Sequence, residues 1–166
     1  MPPNMLKAKA GGGLGGMDVA AMKRAADAVE ALKPQFADWI AADVKALTEA
    51  RACYIKKQEP EARAALMRMA HDIGGLAPVL DFRWMAGIAA SLSRLLDEQR
   101  AIIPMRLIDA HVSAIQAIHR RDPQTVDNDT VQALCVELDA QVDEVLAAAR
   151  KTRGLSNPTT GSTGRD

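Results

Sequence analysis

MAHDIGGL, residues 69–76, lies in the middle of a run (61–80) whose apolar residues recur every three or four positions. That period is typical of one buried face of a helix. The apolar positions are Ala62, Leu66, Met69, Ile73, Ala77 and Leu80. At about 100° per residue, His71 points away from this face. The run therefore predicts a helix that presents an imidazole to solvent.

Two glycines follow the histidine on the same helix. Gly75 lies one turn beyond His71 on the same side, and Gly74 lies slightly off that line. A glycine in a helix interior costs about 1 kcal/mol relative to alanine. A helix that bears this cost twice beside an exposed imidazole indicates that a partner approaches the bare backbone there. The alternative is that the glycines only permit close packing of a neighbouring helix.

The segment from His71 to Gly75 resembles the histidine phosphotransfer (HPt) domain of bacterial two-component phosphorelays. That family carries a histidine on a bundle helix, a basic residue three positions on and a glycine four positions on. The matching positions are His71, Gly74 and Gly75, so glycine replaces the family's basic residue. The family's later glycine falls near Asp81, and Pro78 departs from its pattern. Segments 64–66 and 88–96 resemble alphaproteobacterial members, and the resemblance covers about residues 17–121.

The resemblance implies that His71 carries the phosphoryl group and that Gly75 lets a receiver domain come close. It implies, as partner, a response-regulator receiver domain, a hybrid histidine kinase, or both. The acceptor aspartate and the Mg²⁺ would belong to that partner, so the chain would be a carrier that needs no cofactor of its own and no autonomous catalysis. Candidate partner-binding residues share the face of the histidine: Ala64, Met67, Arg68, Gly74, Gly75 and Pro78.

The chemistry agrees with a carrier role. A neutral imidazole is a competent nucleophile near pH 7, since the ordinary histidine pKa is about 6.5. Phosphoryl transfer passes through a loose transition state, so positioning and charge neutralisation supply most of the catalysis. Arg68, about one turn before His71, is expected to screen the phosphate. A carrier histidine therefore needs exposure, clearance and little else.

Two other functions stay open at this point. One is a degenerate helical adaptor that binds a receiver or kinase without being phosphorylated. The other is a metal-dependent phosphohydrolase, because His71-Asp72 spells a dipeptide of that class, although such a site needs further ligands from other helices. His111 and His119 lie too far apart to bind one ion together. We expect His111 at the core edge with a satisfied nitrogen, and a positive charge on His119 at a helix C-terminus.

Composition limits the alternatives further. The chain has 166 residues, zero formal net charge and only 3% aromatic residues, which favours one all-α domain with tails. No apolar run approaches the ~20 residues of a membrane span, and no signal peptide is recognised, so we expect a cytoplasmic protein. Balanced charge argues against nucleic acid as a partner. Cys53 and Cys135 are expected to be small buried residues. The oligomeric state stays open.

Six helices are predicted along the chain. The first, 17–32, stops before Pro34 because proline disfavours a helical preceding residue. The second spans 35–57, and the histidine-bearing third starts at Pro60 and is bent near its end by Pro78. The fourth, fifth and sixth span 83–99, 104–121 and 128–150, the last capped by Asn128 or Asp129.

This order predicts an all-α fold, an antiparallel up-down four-helix bundle with additional N- and C-terminal helices. The bundle core covers about residues 35–121 of an HPt-like helical domain, 17–150. Residues 1–16 are glycine-rich and are expected to form a flexible arm. Residues 151–166 are rich in Ser, Thr, Gly and Pro and are expected to form a disordered tail. The sixth helix is expected either to extend the bundle or to pair with another chain.

Overall fold

The computed structural model describes residues 18–99, 101–121, 125 and 127–155, and within them the chain is helical without strands. These residues form α1 (Val19–Lys57), α2 (Pro60–Leu76), a 3₁₀ helix (Ala77–Leu80), α3 (Arg83–Asp97), α4 (Met105–His119) and α5 (Asn128–Leu155). The all-α class is confirmed. The arm at 1–16 and residues 156–166 of the predicted tail lie outside the described residues. α5 continues one turn past the predicted end at Arg150, so 151–155 are helical.

The first helix corrects the prediction of separate helices on either side of Pro34. α1 is a single helix with Pro34 inside it. Asp18 caps its start, since its carboxylate accepts a hydrogen bond from the Ala20 amide at 3.1 Å. A proline removes only one intrahelical hydrogen bond, here the one to the Glu30 carbonyl. The restriction on the preceding residue is a bias that a long helix overrides.

The chain divides into two compact units, residues 1–35 and 36–166. In the first unit, the described residues 18–35 are all exposed except Lys33, which is half-buried. The second unit holds the hydrophobic core, to which all five helices contribute. Within it α3 is the central helix, because it packs against α2, α4 and α5.

Apolar periodicity predicts the buried side of α3 and most of the buried side of α5. In α3 the residues that this period predicts to point inward are all buried: Met85, Ile88, Leu92 and Leu95. For α5 a near-heptad stripe is predicted: Val131, Leu134, Leu138, Val142 and Val145. Leu138 and Val142 are buried, and Val131 and Val145 pack against the core, whereas Leu134 is 38% exposed. Leu146 and Ala149 extend the buried side of the helix.

The start of α5 is capped one residue earlier than predicted. Asp127 accepts hydrogen bonds from the Asp129 amide at 3.3 Å and from the Thr130 hydroxyl. The Thr130 bond is the main cause that lowers the pKa of the Asp127 carboxyl. Asn128, one of the predicted caps, is used elsewhere, because its side-chain oxygen accepts a hydrogen bond from the Trp84 indole at 2.9 Å. That bond ties α5 to the first turn of α3.

The end of the histidine-bearing helix follows the prediction. Pro78 cannot donate to the Gly74 carbonyl, and the α-helix changes to a 3₁₀ helix at Ala77. Asp81 then takes the left-handed conformation at φ 64°, and the Phe82 amide donates to the Ala77 carbonyl at 3.0 Å. This turn fixes the exit of α2 and starts α3 beside it.

Candidate functional site

His71 lies on the exposed side of α2. Its ring and the neighbouring Asp72 are exposed, whereas Leu66, Ala70 and Ile73 on the opposite side are fully buried. The apolar face of α2 thus fixes the orientation of the helix, and the histidine points outward as predicted. Four hydrogen-bonded turns hold the backbone at this position.

The two glycines of the motif have different surroundings. A Cβ atom built on Gly75 would meet no atom within 4 Å outside its own helix, so this position faces open space. A Cβ atom on Gly74 would lie 3.8 Å from the Ala86 carbonyl oxygen and 3.9 Å from the Ala89 Cβ. Gly74 therefore packs against α3, as the helix-packing alternative predicts, and only Gly75 leaves clearance beside His71.

Asp43 of α1 and Asp72 of α2, the residue after His71, form a carboxylate pair. Asp43 is half-buried, and its pKa is raised, first by burial and then by the negative charge of Asp72. Arg68, one turn before His71 along α2, is exposed. The histidine therefore has a basic residue one turn before it and an acidic residue directly after it on the same helix. Sequence reasoning missed Asp43, because the pairing of α1 with α2 determines which residue it faces.

The remaining predicted partner-binding residues fall into two groups. Pro78 is exposed one turn past Gly75. Ala64 and Met67 are half-buried instead, and both line a groove of about 270 Å³ near the start of α2 that reaches Leu96 of α3. Met67 also packs against the hydrophobic core. The exposed surface around His71 is thus made by Arg68, Gly75 and Pro78.

Arg63 fixes the start of α2 against the end of α3, a contact that sequence reasoning missed. Its Nε donates to the Leu96 carbonyl at 2.8 Å, and one terminal nitrogen donates to the Glu98 carbonyl. A guanidinium at a helix C-terminus satisfies carbonyls that have no partner in the helix. The two helices are therefore joined at one end by Arg63 and near the other by Gly74, which fixes the helix that presents His71.

The other two histidines differ from expectation in detail. His111 lies fully in the core, deeper than the predicted edge; Nδ1–H donates to the Leu107 carbonyl at 2.7 Å, and Nε2 accepts from the Ser91 hydroxyl at 3.3 Å. Burial, and then the positive charge of Arg120, lower the pKa of His119, which disfavours the positive charge expected at this helix C-terminus.

Neither cysteine belongs to a group of three or more potential metal ligands among the described residues. Cys53 is exposed, contrary to expectation, because it falls off the buried stripe of α1, and Cys135 is half-buried with a pKa raised by burial. In the part of the chain that the structure describes, no three His, Cys, Asp or Glu side chains come together to hold a metal ion. The phosphohydrolase hypothesis therefore has no ligand set among these residues.

No family model, curated protein or solved structure matches this chain. Among the described helices, none has the length and apolar character needed to cross a membrane.

The geometry restricts what the site can do. The groove on α2 is lined by residues of its first half, and His71 is not among them. The imidazole stands on a convex helix surface, where a small substrate would find few groups to bind it. An exposed nucleophile with clearance beside it suits a macromolecular partner that brings the remaining catalytic groups.

Proposed function

We propose that this chain is a histidine phosphotransfer protein of a two-component phosphorelay, with His71 as the residue that carries the phosphoryl group. The observation that carries the proposal is an exposed imidazole on a rigid helix with Gly75 open to space one turn beyond it. The resemblance of the segment 71–75 to the HPt motif supplies the chemical class. The partner would be a response-regulator receiver domain or the receiver of a hybrid histidine kinase.

The transfer step follows from the chemistry of both groups. A ring nitrogen of His71 attacks the phosphorus of an aspartyl phosphate on the receiver. The new nitrogen–phosphorus bond forms as the bond from phosphorus to the aspartyl oxygen breaks, and the receiver carboxylate leaves. The reverse step passes the group to another receiver. Mg²⁺ held by the receiver would neutralise charge in both directions, and Arg68 would add a positive charge from this chain.

The proposed function also implies a bundle arrangement of the helices and a cytoplasmic location. We assign the second half of α1 together with α2, α3 and α4 to an antiparallel four-helix bundle, with α5 and the first part of α1 as additions. The short connections at 58–59 and 81–82 support this up-down order. As a phosphorelay carrier, the protein would act in the cytoplasm, where receiver domains are found.

A second candidate, a helical adaptor that binds a receiver without accepting phosphate, is favoured by a specific observation. The family's basic position is Gly74, which packs on α3 and supplies no charge. Asp72, the residue after His71, is negatively charged, and its charge opposes a phosphoryl group on the histidine. Arg68 is the basic residue left on the helix to offset them.

Incubation with a phosphorylated receiver and Mg²⁺ separates the two candidates. The carrier predicts label on the wild-type protein that is stable to base and labile to acid, and no label on His71→Gln. The adaptor predicts binding to the receiver, measured by calorimetry, without label on the chain. His119→Gln is the matched control, since it removes another histidine of the same unit, and it should accept label like the wild type.

A further inference from the structure

The first turns of α1 carry an apolar stripe that their own unit leaves uncovered. Four large apolar side chains are exposed by 80%, 54%, 45% and 44%: Val19, Met22, Val29 and Leu32. Val19 and Met22 are three residues apart, as are Val29 and Leu32, and Met22 and Val29 are seven apart. At about 100° per residue the four side chains fall within an arc of about 140°, and an apolar face of this width in other proteins packs against a second helix.

The exposed apolar face of this segment is suited to packing against a second helix. Most helical stability in proteins comes from packing of an apolar face. Residues 19–35 bury no apolar side chain in the structure. Pro34 lies about 130° from the centre of the stripe, so its ring would not obstruct a helix packed there.

We propose that this stripe pairs with the same stripe of a second copy of the chain, in an antiparallel two-helix interface. The charges on the segment select this occupant. Residues 18–35 carry three acidic and three basic side chains, so two copies do not repel each other. Lys33 lies within the arc of the stripe, about 30° from its centre, and its ammonium is paired with the Glu30 carboxylate at 2.7 Å.

The flanks of the stripe select the antiparallel orientation. Lys23 and Glu30 are seven residues apart and share one flank, whereas Ala21 and Ala28 share the other. In an antiparallel dimer with two-fold symmetry, each flank faces the same flank of the partner helix. Lys23 of each copy then lies opposite the partner's Glu30, which gives two equivalent ion pairs. On the other flank the alanines allow the two helices to approach closely. In a parallel dimer the charged flank would face the alanine flank, and neither charge would find an opposite one.

Sedimentation equilibrium of the full chain tests the dimer. The wild type should populate a dimer as concentration rises, and Val29→Glu with Leu32→Glu should raise the dissociation constant at least tenfold. Ala31→Glu is the matched control, because Ala31 lies on the opposite side of the same helix, and it should leave association unchanged. Circular dichroism checks that each variant stays folded. A wild type that is monomeric throughout, or equal weakening by Ala31→Glu, overturns the proposal.

Charge reversal and cross-linking test the orientation. Lys23→Glu should weaken the dimer several-fold, and adding Glu30→Lys should restore it. In a background with Cys53→Ser and Cys135→Ser, Ala26→Cys near the two-fold axis should form an intermolecular disulfide. Val19→Cys should not, because antiparallel packing places the two cysteines at opposite ends. A Val19→Cys cross-link, or none through Ala26→Cys, contradicts the antiparallel pair.

Discussion

His71 and His111 carry the same side chain in opposite surroundings. His111 is 0% exposed, and both ring nitrogens are engaged, one by the Leu107 carbonyl and one by the Ser91 hydroxyl. His71 is exposed on α2 with open space one turn away. A histidine whose nitrogens are both hydrogen-bonded in a core serves the fold, whereas one presented to solvent is available for chemistry. The comparison therefore separates a structural histidine from one that is free to react with a partner.

The largest expected effect is on stability at the buried histidine. His111→Ala should lower the free energy of unfolding by about 2–4 kcal/mol, because it leaves a cavity and removes two buried hydrogen bonds. His71→Ala should change it by less than about 0.5 kcal/mol, as surface substitutions usually do. Urea denaturation of both variants measures the difference. Similar losses of unfolding free energy at the two positions would contradict the different roles assigned to His111 and His71.

The free energy of unfolding, measured as a function of pH, tests the buried state of His111 further. Burial lowers the pKa of His111, against smaller opposing effects from the Leu107 carbonyl and the Asp139 charge. Below about pH 6.5 His111 takes up a proton in the unfolded chain but not in the folded chain. The contribution of this residue to the free energy of unfolding is therefore fully present above that pH and is lost as the pH falls. The loss can reach about 1.4 kcal/mol per pH unit.

His111→Gln keeps hydrogen-bonding capacity but does not titrate, so its stability should depend less on pH in this window. The two proteins differ at this residue alone, so the difference between their curves isolates His111. Parallel curves for wild type and His111→Gln would show that the buried ring does not set the pH dependence.

At the exposed histidine, Gly75→Leu should reduce phosphotransfer at least tenfold. A branched side chain would fill the clearance beside His71, while the better helix propensity of leucine stabilises α2 by up to about 0.8 kcal/mol. Gly87→Leu is the matched control, since Gly87 is an exposed glycine on α3 that also faces open space. Stopped-flow or quench measurements should show normal transfer in this control. An unchanged transfer rate in Gly75→Leu would show that the open space at Gly75 is not needed for docking of the receiver.

Restoring the family's basic residue should have a smaller effect. A Cβ atom at Gly74 would keep ordinary contact distances of 3.8 Å to α3, so a lysine stem fits if it runs toward solvent. An added charge near the phosphoryl group should raise the transfer rate about two- to fivefold, typical of an exposed ion pair. Gly74→Gln supplies similar length without charge and should give no gain. No gain with Gly74→Lys would indicate that Arg68 already supplies the needed charge.

The smallest effect is expected at the carboxylate pair. Burial, and then the negative charge of Asp72, raise the pKa of Asp43, so its charged form is disfavoured at neutral pH. Asp43→Asn should therefore stabilise the fold by about 0.3 kcal/mol after solvent screening. The gain should vanish in acid, where the carboxyl is protonated. Asp38→Asn, a change at an exposed aspartate of the same helix, is the control. A gain that persists unchanged in acid would rule out charge repulsion as its cause.

Much of the fold was predictable because apolar periodicity reports burial directly. The stripe of α3, the exposed side of α2 at His71 and the bend of α2 near Pro78 were all predicted from local pattern. The continuity of α1 was not, since the cost of one lost hydrogen bond at Pro34 must be weighed against the whole helix. The different roles of Gly74 and Gly75 were not resolved either, because they depend on where α3 lies. Local sequence pattern thus predicts on which side of a helix a residue lies. Which neighbouring helix that side contacts depends on tertiary packing.

The hydrogen bond from Trp84 to Asn128 has a practical consequence. The chain contains two tryptophans, and the other, Trp39, is 48% exposed beside Phe36, with ring centroids 5.3 Å apart. Each indole therefore reports on a separate region through its own emission. With Trp39→Phe, the remaining fluorescence would follow detachment of α5 from α3. With Trp84→Phe, it would follow events on the surface of α1, so one optical signal can time the loosening of each part of the molecule.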